Sequence, residues 1–187
     1  MGFTREQLAA FQGKTVDDLL GPHVRLLFVG INPGLWTAAT NTHFCHPSNR
    51  FYPALRGAGL IDWSIDTSTG MTPEERERLQ SSGIGITNLV RRATVRASEL
   101  SATELREGAG RLEIVVADVK PVVVAVAGLT AYRTAFERPR AVLGEQPEEI
   151  GGARLWVVPN PSGLNAHETI ESLGRWYRRV GEAAGLL

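Results

Sequence analysis

The chain contains one cysteine, Cys45, in 187 residues. It can therefore form no internal disulfide, no iron–sulfur cluster on four thiolates and no Cys-rich zinc site. A reducing cytoplasm is the simplest setting for such a chain. Lysine is almost as scarce: Lys14 and Lys120 stand against 18 arginines, and the formal net charge is zero. A neutral chain does not coat nucleic acid by bulk electrostatics. Arginine does suit bidentate contacts to individual phosphates, although base composition of the genome also produces an arginine bias. No apolar run approaches the ~20 residues of a membrane helix. The longest, residues 122–127, is the length of a buried strand. No membrane partner is expected. There is no tandem repeat, linker or low-complexity stretch, so residues 1–187 read as a single domain with a helical N-terminal extension over 1–20.

Within that frame three segments have the composition of buried parallel strands: 24–29 (VRLLFV), 121–127 (PVVVAVA) and 155–158 (LWVV). A fourth, 83–90 (GIGITNLV), reads as a short strand running into a loop. Helix signals alternate with them. Thr72-Pro73-Glu74-Glu75 is a cap followed by proline at the first helical position. Ser101-Ala102-Thr103-Glu104 is a capping box opening a helix to about Val119. Further helices are expected over 49–59, after Gly128 and over 168–184, and 137–152 is loop-rich with room for a hairpin. Strands alternating with helices imply an α/β fold, a parallel sheet covered on both faces. Ligands of such sheets bind beyond the carboxyl ends of the strands. The loops after Val29, Ile86 and Val158 are thereby singled out.

The first of these, Gly30-Ile31-Asn32-Pro33-Gly34-Leu35, matches neither a dinucleotide fingerprint nor a phosphate-binding loop, which argues against a nucleotide-binding enzyme. Pro33 stiffens the turn and pushes Asn32 towards extended geometry. The Asn32 amide can then either bond its own turn or hold a water. The stretch to Ser48 is long for a strand-to-helix connection, and long loops in compact domains are usually functional. Phe44 in it can stack on a flat ring or fold onto the core. His43 and His46 lack the further ligands a metal site needs. In the third loop, Pro159-Asn160-Pro161-Ser162-Gly163-Leu164-Asn165, the apolar Leu164 sits on a polar turn. It can act as a wedge that unstacks base pairs or as a staple to the next helix.

Taken in order, Gly30-Ile31-Asn32-Pro33-Gly34-Leu35, His46-Pro47-Ser48-Asn49-Arg50-Phe51, Gly83 through Thr87 to Leu89-Val90, and Asn160-Pro161-Ser162-Gly163-Leu164 resemble the mismatch-specific uracil/thymine DNA glycosylases over about residues 20–180. The resemblance implies a three-layer α/β/α fold around a short central parallel sheet. It also implies a hydrolase that removes uracil, and by extension thymine or damaged bases, from mismatched double-stranded DNA in base excision repair. No cofactor or metal is implied, and a monomer near the nucleoid suffices. Under this resemblance Asn32 positions the attacking water and Asn160 lines the pocket beside the scissile bond. Ile31, Phe44, Thr37 and Asn88 bound the flipped base. Ser162, Gly163, Leu164 and Asn165 enter the duplex. Apart from the resemblance, Arg91, Arg92 and Arg96 follow the second loop and can either contact phosphates or form a solvated charged face. The chain departs from the family at Trp36-Thr37, where a Ser or Ala pair is common, at the variable position Asn88, and at Asn165-Ala166, where a basic residue often follows the wedge. These departures leave the base range open. The competing reading is a binding domain on the same fold without catalysis.

Overall fold

The computed structural model describes residues 2–187. Its centre is a sheet of β1 (Leu26–Gly30), β2 (Ile84–Asn88), β3 (Val123–Ala127), β4 (Gly144–Ile150) and β5 (Ala153–Val158), in spatial order β2-β1-β3-β5-β4. Four of the strands are parallel and β4 runs antiparallel to β5. The expected α/β/α arrangement is thus present with an antiparallel edge strand. The Gly151-Gly152 turn, both residues at positive φ, closes the β4–β5 hairpin.

Alternation along the strands assigns the two faces. Leu26 and Phe28 of β1 point to one layer, with Phe51, Leu55, Leu173 and Tyr177. Leu27 and Val29 point to the other, with Leu112, Val116 and Tyr132. Because every residue of β1, β2 and β3 is buried, these strands must be covered on both sides, and the unbroken apolar runs of β1 and β3 reflect it. The helices are α1 (Arg5–Ala9), α2 (Leu35–Thr40), α3 (Phe51–Gly57), α4 (Pro73–Ser81), α5 (Ala102–Val119), α6 (Leu129–Ala135) and α7 (Ile170–Ala183). Helices α4 and α5 begin at the capping boxes of Thr72 and Ser101, as their sequences dictate. Among the described residues no helix is long and apolar enough to cross a membrane.

Two segments differ from the sequence reading. A helical extension was expected over 1–20; residue 1 lies outside the described residues, and within 2–20 only α1, capped by Thr4, is an α-helix. Thr15 and Leu19 instead make antiparallel bridges to Arg92 and Ile86, with Leu19 exchanging two 2.8 Å backbone hydrogen bonds with Ile86. The free edge of β2 captures this segment, since an edge strand's unpaired amides outweigh weak helix propensity. The long loop after β1 also contains a helix, α2, which ends on Asn41 in the left-handed region.

Candidate active site

Parallel register brings the ends of β1 and β2 level: the Cα of Gly30 pairs with that of Asn88. Above Gly30 there is no room for a side chain. A Cβ there would lie 2.3 Å from Asn88 Oδ1 and 3.2 Å from the edge of the Phe44 ring. Glycine is required by this close approach, and the three residues form one floor. Phe44 reaches it from a left-handed backbone conformation, φ 54°. Its ring stacks on Phe51 with centroids 4.1 Å apart, so one face is supported from the core. Among the described residues neither the Ile31 nor the Phe44 N–H has a backbone or side-chain acceptor. Asn88 is buried, and α5 steadies its backbone: Arg111 donates to the carbonyls of Asn88 and Leu89.

Asn32 lies two residues beyond this floor. Its Nδ2 donates to the Arg92 carbonyl at 3.0 Å and to Thr94 Oγ1 at 2.7 Å, with Pro33 O at 3.1 Å. Thr94 Oγ1 in turn donates to Arg96 O, which leaves its lone pair for Asn32. With the nitrogen end thus engaged, the oxygen end of Asn32 is the acceptor left to a water or ligand. The Asn32 loop is fastened to the loop after β2 by backbone as well: Val90 N donates to Ile31 O at 2.9 Å and Thr94 N to Pro33 O at 3.2 Å.

That second loop is held by Arg92, whose guanidinium pairs with Glu104 at 2.6 Å and also reaches Glu99 O. The hydrogen bond from Arg92, followed by that from Ser101 N, holds the Glu104 carboxyl down at about 2. Arg92 was expected at phosphates. In the fold its side chain is committed to Glu104 and its carbonyl to Asn32. Arg91 next to it is exposed and approaches Asp17, at 4.0 Å.

The loop after β5 is tied down by Arg50. Its guanidinium donates to the carbonyls of Ser162 (2.5 Å), Asn165 (2.7 Å) and Glu168, and its backbone N–H to Pro161 O at 3.0 Å. Gly163 touches Ser48 so closely that a Cβ would stand 2.5 Å from Ser48 Oγ. Asn160 Oδ1 accepts from Ser162 N, and Asn165 Nδ2 donates to Asn160 O. These bonds leave Asn160 Nδ2 as its available end. Gly128, at the start of α6, sits where a Cβ would be 3.2 Å from Ile31 and 4.0 Å from Asn160 Cβ, so Asn160 and Ile31 flank one point. At the tip Leu164 is 92% exposed, and no staple to α7 forms.

The fold therefore gathers Ile31, Asn32, Phe44, Asn88, Asn160 and the 162–165 turn at the carboxyl ends of the parallel strands. Thr37 is buried in α2, and no hydrogen bond among the described residues joins its side chain to the floor. Sequence reasoning missed Thr94, read Glu104 only as part of a helix cap and weighed His43 only as a metal ligand. Arg50, read there only within the 46–51 motif, reaches the loop after β5 with its guanidinium. No local signal marks Thr94, because its partner is 62 residues away. Among the described residues no three His, Cys, Asp or Glu side chains gather as metal ligands.

Residues 18–180 match the family model of the uracil DNA glycosylase superfamily. The chain belongs to the uracil DNA glycosylase superfamily. DNA glycosylase chemistry, acting on DNA, comes with that membership in general form. A solved relative in fold is a candidate uracil DNA glycosylase from Methanosarcina acetivorans, determined by solution NMR. The two are 16% identical and superpose with a TM-score of 0.57 over 91% of this chain and 98% of that one. At that identity the likeness speaks for the fold, and the superfamily assignment rests on the sequence model.

Proposed function

We propose that this superfamily member is a single-domain, monomeric glycosylase of the mismatch-specific uracil/thymine type, hydrolysing the N-glycosidic bond of uracil in mismatched duplex DNA. The observation that carries this reading is the Asn32 amide. Its nitrogen is bound to Arg92 O and Thr94 Oγ1 while its oxygen remains as an acceptor, two residues along the chain from Gly30.

A base within a duplex cannot reach such a floor, so it must be flipped at an unstacking cost of a few kcal/mol, least for a mismatched pair. Leu164, exposed on a turn held by Arg50, suits the role of filling the vacated space. The flipped base would lie against the Phe44 ring with its edge towards Asn88. As the glycosidic bond breaks, its electron pair passes to N1 of the base. The Ile31 and Phe44 N–H groups are suited to stabilise that anion. A water accepted by Asn32 Oδ1 attacks the anomeric carbon. Its oxygen stays on the sugar, and its proton leaves with the base or to solvent, because an amide cannot keep it. Positioning without a strong base predicts slow turnover and dependence on good leaving groups.

Single-turnover excision on duplexes containing G:U, G:T, A:U and on single-stranded uracil tests the assignment. Abasic product from G:U is expected, with A:U slower. Asn32→Ala should lower the G:U rate by roughly 10²–10⁴, the range for losing a catalytic positioner. Wild-type rates in that variant would remove Asn32 from the mechanism. Abasic product from none of the substrates would leave a binding domain.

A further inference from the structure

His43, next to Phe44 and 2% exposed, bridges the N-terminal segment and the floor. Its Nε2 is 2.8 Å from the Asp17 carbonyl oxygen and its Nδ1 is 3.0 Å from Asn88 Nδ2. A carbonyl only accepts, so Nε2 carries the proton. Nδ1 of the neutral ring is then an acceptor and takes an N–H from Asn88. This chain of bonds settles which way the Asn88 amide faces. The nitrogen turns to His43, and Oδ1 turns to the floor over Gly30. Rotating the amide by half a turn would place Oδ1 against Nδ1, two lone pairs facing each other in a buried site.

We propose that His43 is a positioning residue that fixes the Asn88 amide and thereby makes the floor complementary to uracil and thymine and mismatched to cytosine. The inference rests on the reading of the floor as the base pocket. Uracil and thymine present N3–H beside O4, which fits an amide offering Oδ1 and its second N–H. Cytosine presents a bare N3 beside N4–H₂ and needs the opposite amide orientation, which His43 forbids. Burial pushes the His43 ring below its ordinary value, which keeps Nδ1 an acceptor near neutrality. The charges acting on the ring are the Asp18 carboxylate from the N-terminal segment, Arg76 from α4 and Arg91 from the loop after β2, while the Tyr52 hydroxyl of α3 donates to the His43 backbone carbonyl. The Asp18 carboxylate already accepts from Thr87 Oγ1. Protonation of His43 at acid pH makes Nδ1 a donor, releases the amide to rotate and relaxes the discrimination.

The test measures single-turnover excision of uracil and of cytosine, each opposite a tetrahydrofuran abasic analogue so that opening costs are alike, from pH 8 down through the pH at which the His43 ring protonates in the ¹⁵N spectra. The proteins are wild type, His43→Phe and Asn88→Ala, with ¹⁵N spectra of the wild-type imidazoles. The expected tautomer is Nε2–H. The uracil-to-cytosine rate ratio should fall about tenfold or more on acidification and in His43→Phe, one hydrogen bond's worth of discrimination. In Asn88→Ala it should lose its pH dependence. An Nδ1–H tautomer, or a wild-type ratio flat across the pH range, overturns the proposal. If His43→Phe does not fold, the wild-type pH series and the spectra still decide. If wild type excises neither base, the glycosylase reading fails while the tautomer continues to decide the relay.

Discussion

The loops after β1 and β5 each present an asparagine at the carboxyl end of the parallel sheet, where the proposed function puts the DNA-binding cleft, and they hold it by opposite ends. Asn32 is bound through its nitrogen, by Arg92 O and Thr94 Oγ1, and offers oxygen. Asn160 is bound through its oxygen, by Ser162 N, and offers nitrogen. The same side chain thus becomes an acceptor at one place and a donor at the other. The supports differ in kind as well. Asn32 depends on residues about sixty positions away in a buried threonine and a loop braced by the Arg92–Glu104 pair. Asn160 is fixed by its own turn, which Arg50 grips at three carbonyls. An amide carries no fixed chemical role; the groups that consume one of its ends leave it the other.

The contrast can be broken at either support. Arg50→Ala has the largest expected effect. It strips a guanidinium from three carbonyls, destabilises the protein by roughly 2–3 kcal/mol and lowers excision from duplex DNA on the order of 10²-fold. Thermal unfolding and single-turnover rates measure the two; an unchanged duplex rate in the folded variant would free the β5 loop from dependence on Arg50. Thr94→Val removes the hydroxyl that binds Asn32 while keeping the side chain's shape. About tenfold slower chemistry is expected, equivalent to ~1.4 kcal/mol in the barrier, with substrate affinity unaltered. A loss confined to affinity would mean that Thr94 does not act through Asn32. Leu164→Ala is smaller and sharper: a several-fold loss on A:U, less on G:U and none on single-stranded uracil, because the wedge matters in proportion to the stacking it must disrupt. Equal losses on all three would argue against a wedge. Smallest is Arg92→Ala, read by the salt dependence of DNA binding. A slope unchanged from wild type is expected if Glu104 rather than phosphate is its partner, whereas a slope reduced by about one would place it on the DNA backbone.

Much of this was legible beforehand because it is local or periodic. Unbroken apolar runs such as 122–127 announce strands buried on both faces, and the boxes at Thr72 and Ser101 announce helix starts, since each depends only on neighbours along the chain. The rule that ligands bind beyond parallel strand ends then singled out the loops carrying Asn32 and Asn160 and the end of β2 at Asn88. Residues 1–20 were misjudged as wholly helical because their outcome depends on the edge of β2, which no local signal reveals. The partners of Thr94, Arg50 and His43 gave no sign for the same reason. Each of these residues acts on a partner between 45 and 118 positions distant.

By itself the sequence determined the layered fold and which loops meet at the strand ends, because burial period, caps and turn residues encode those choices within a few positions. For Asn32 it determined only that a rigid amide stands after the first strand. Which end of that amide faces the cleft was decided by the tertiary structure alone: the fold brings Arg92 O and Thr94 Oγ1 to the nitrogen, and a polar group's free end is whatever its distant partners leave unbound.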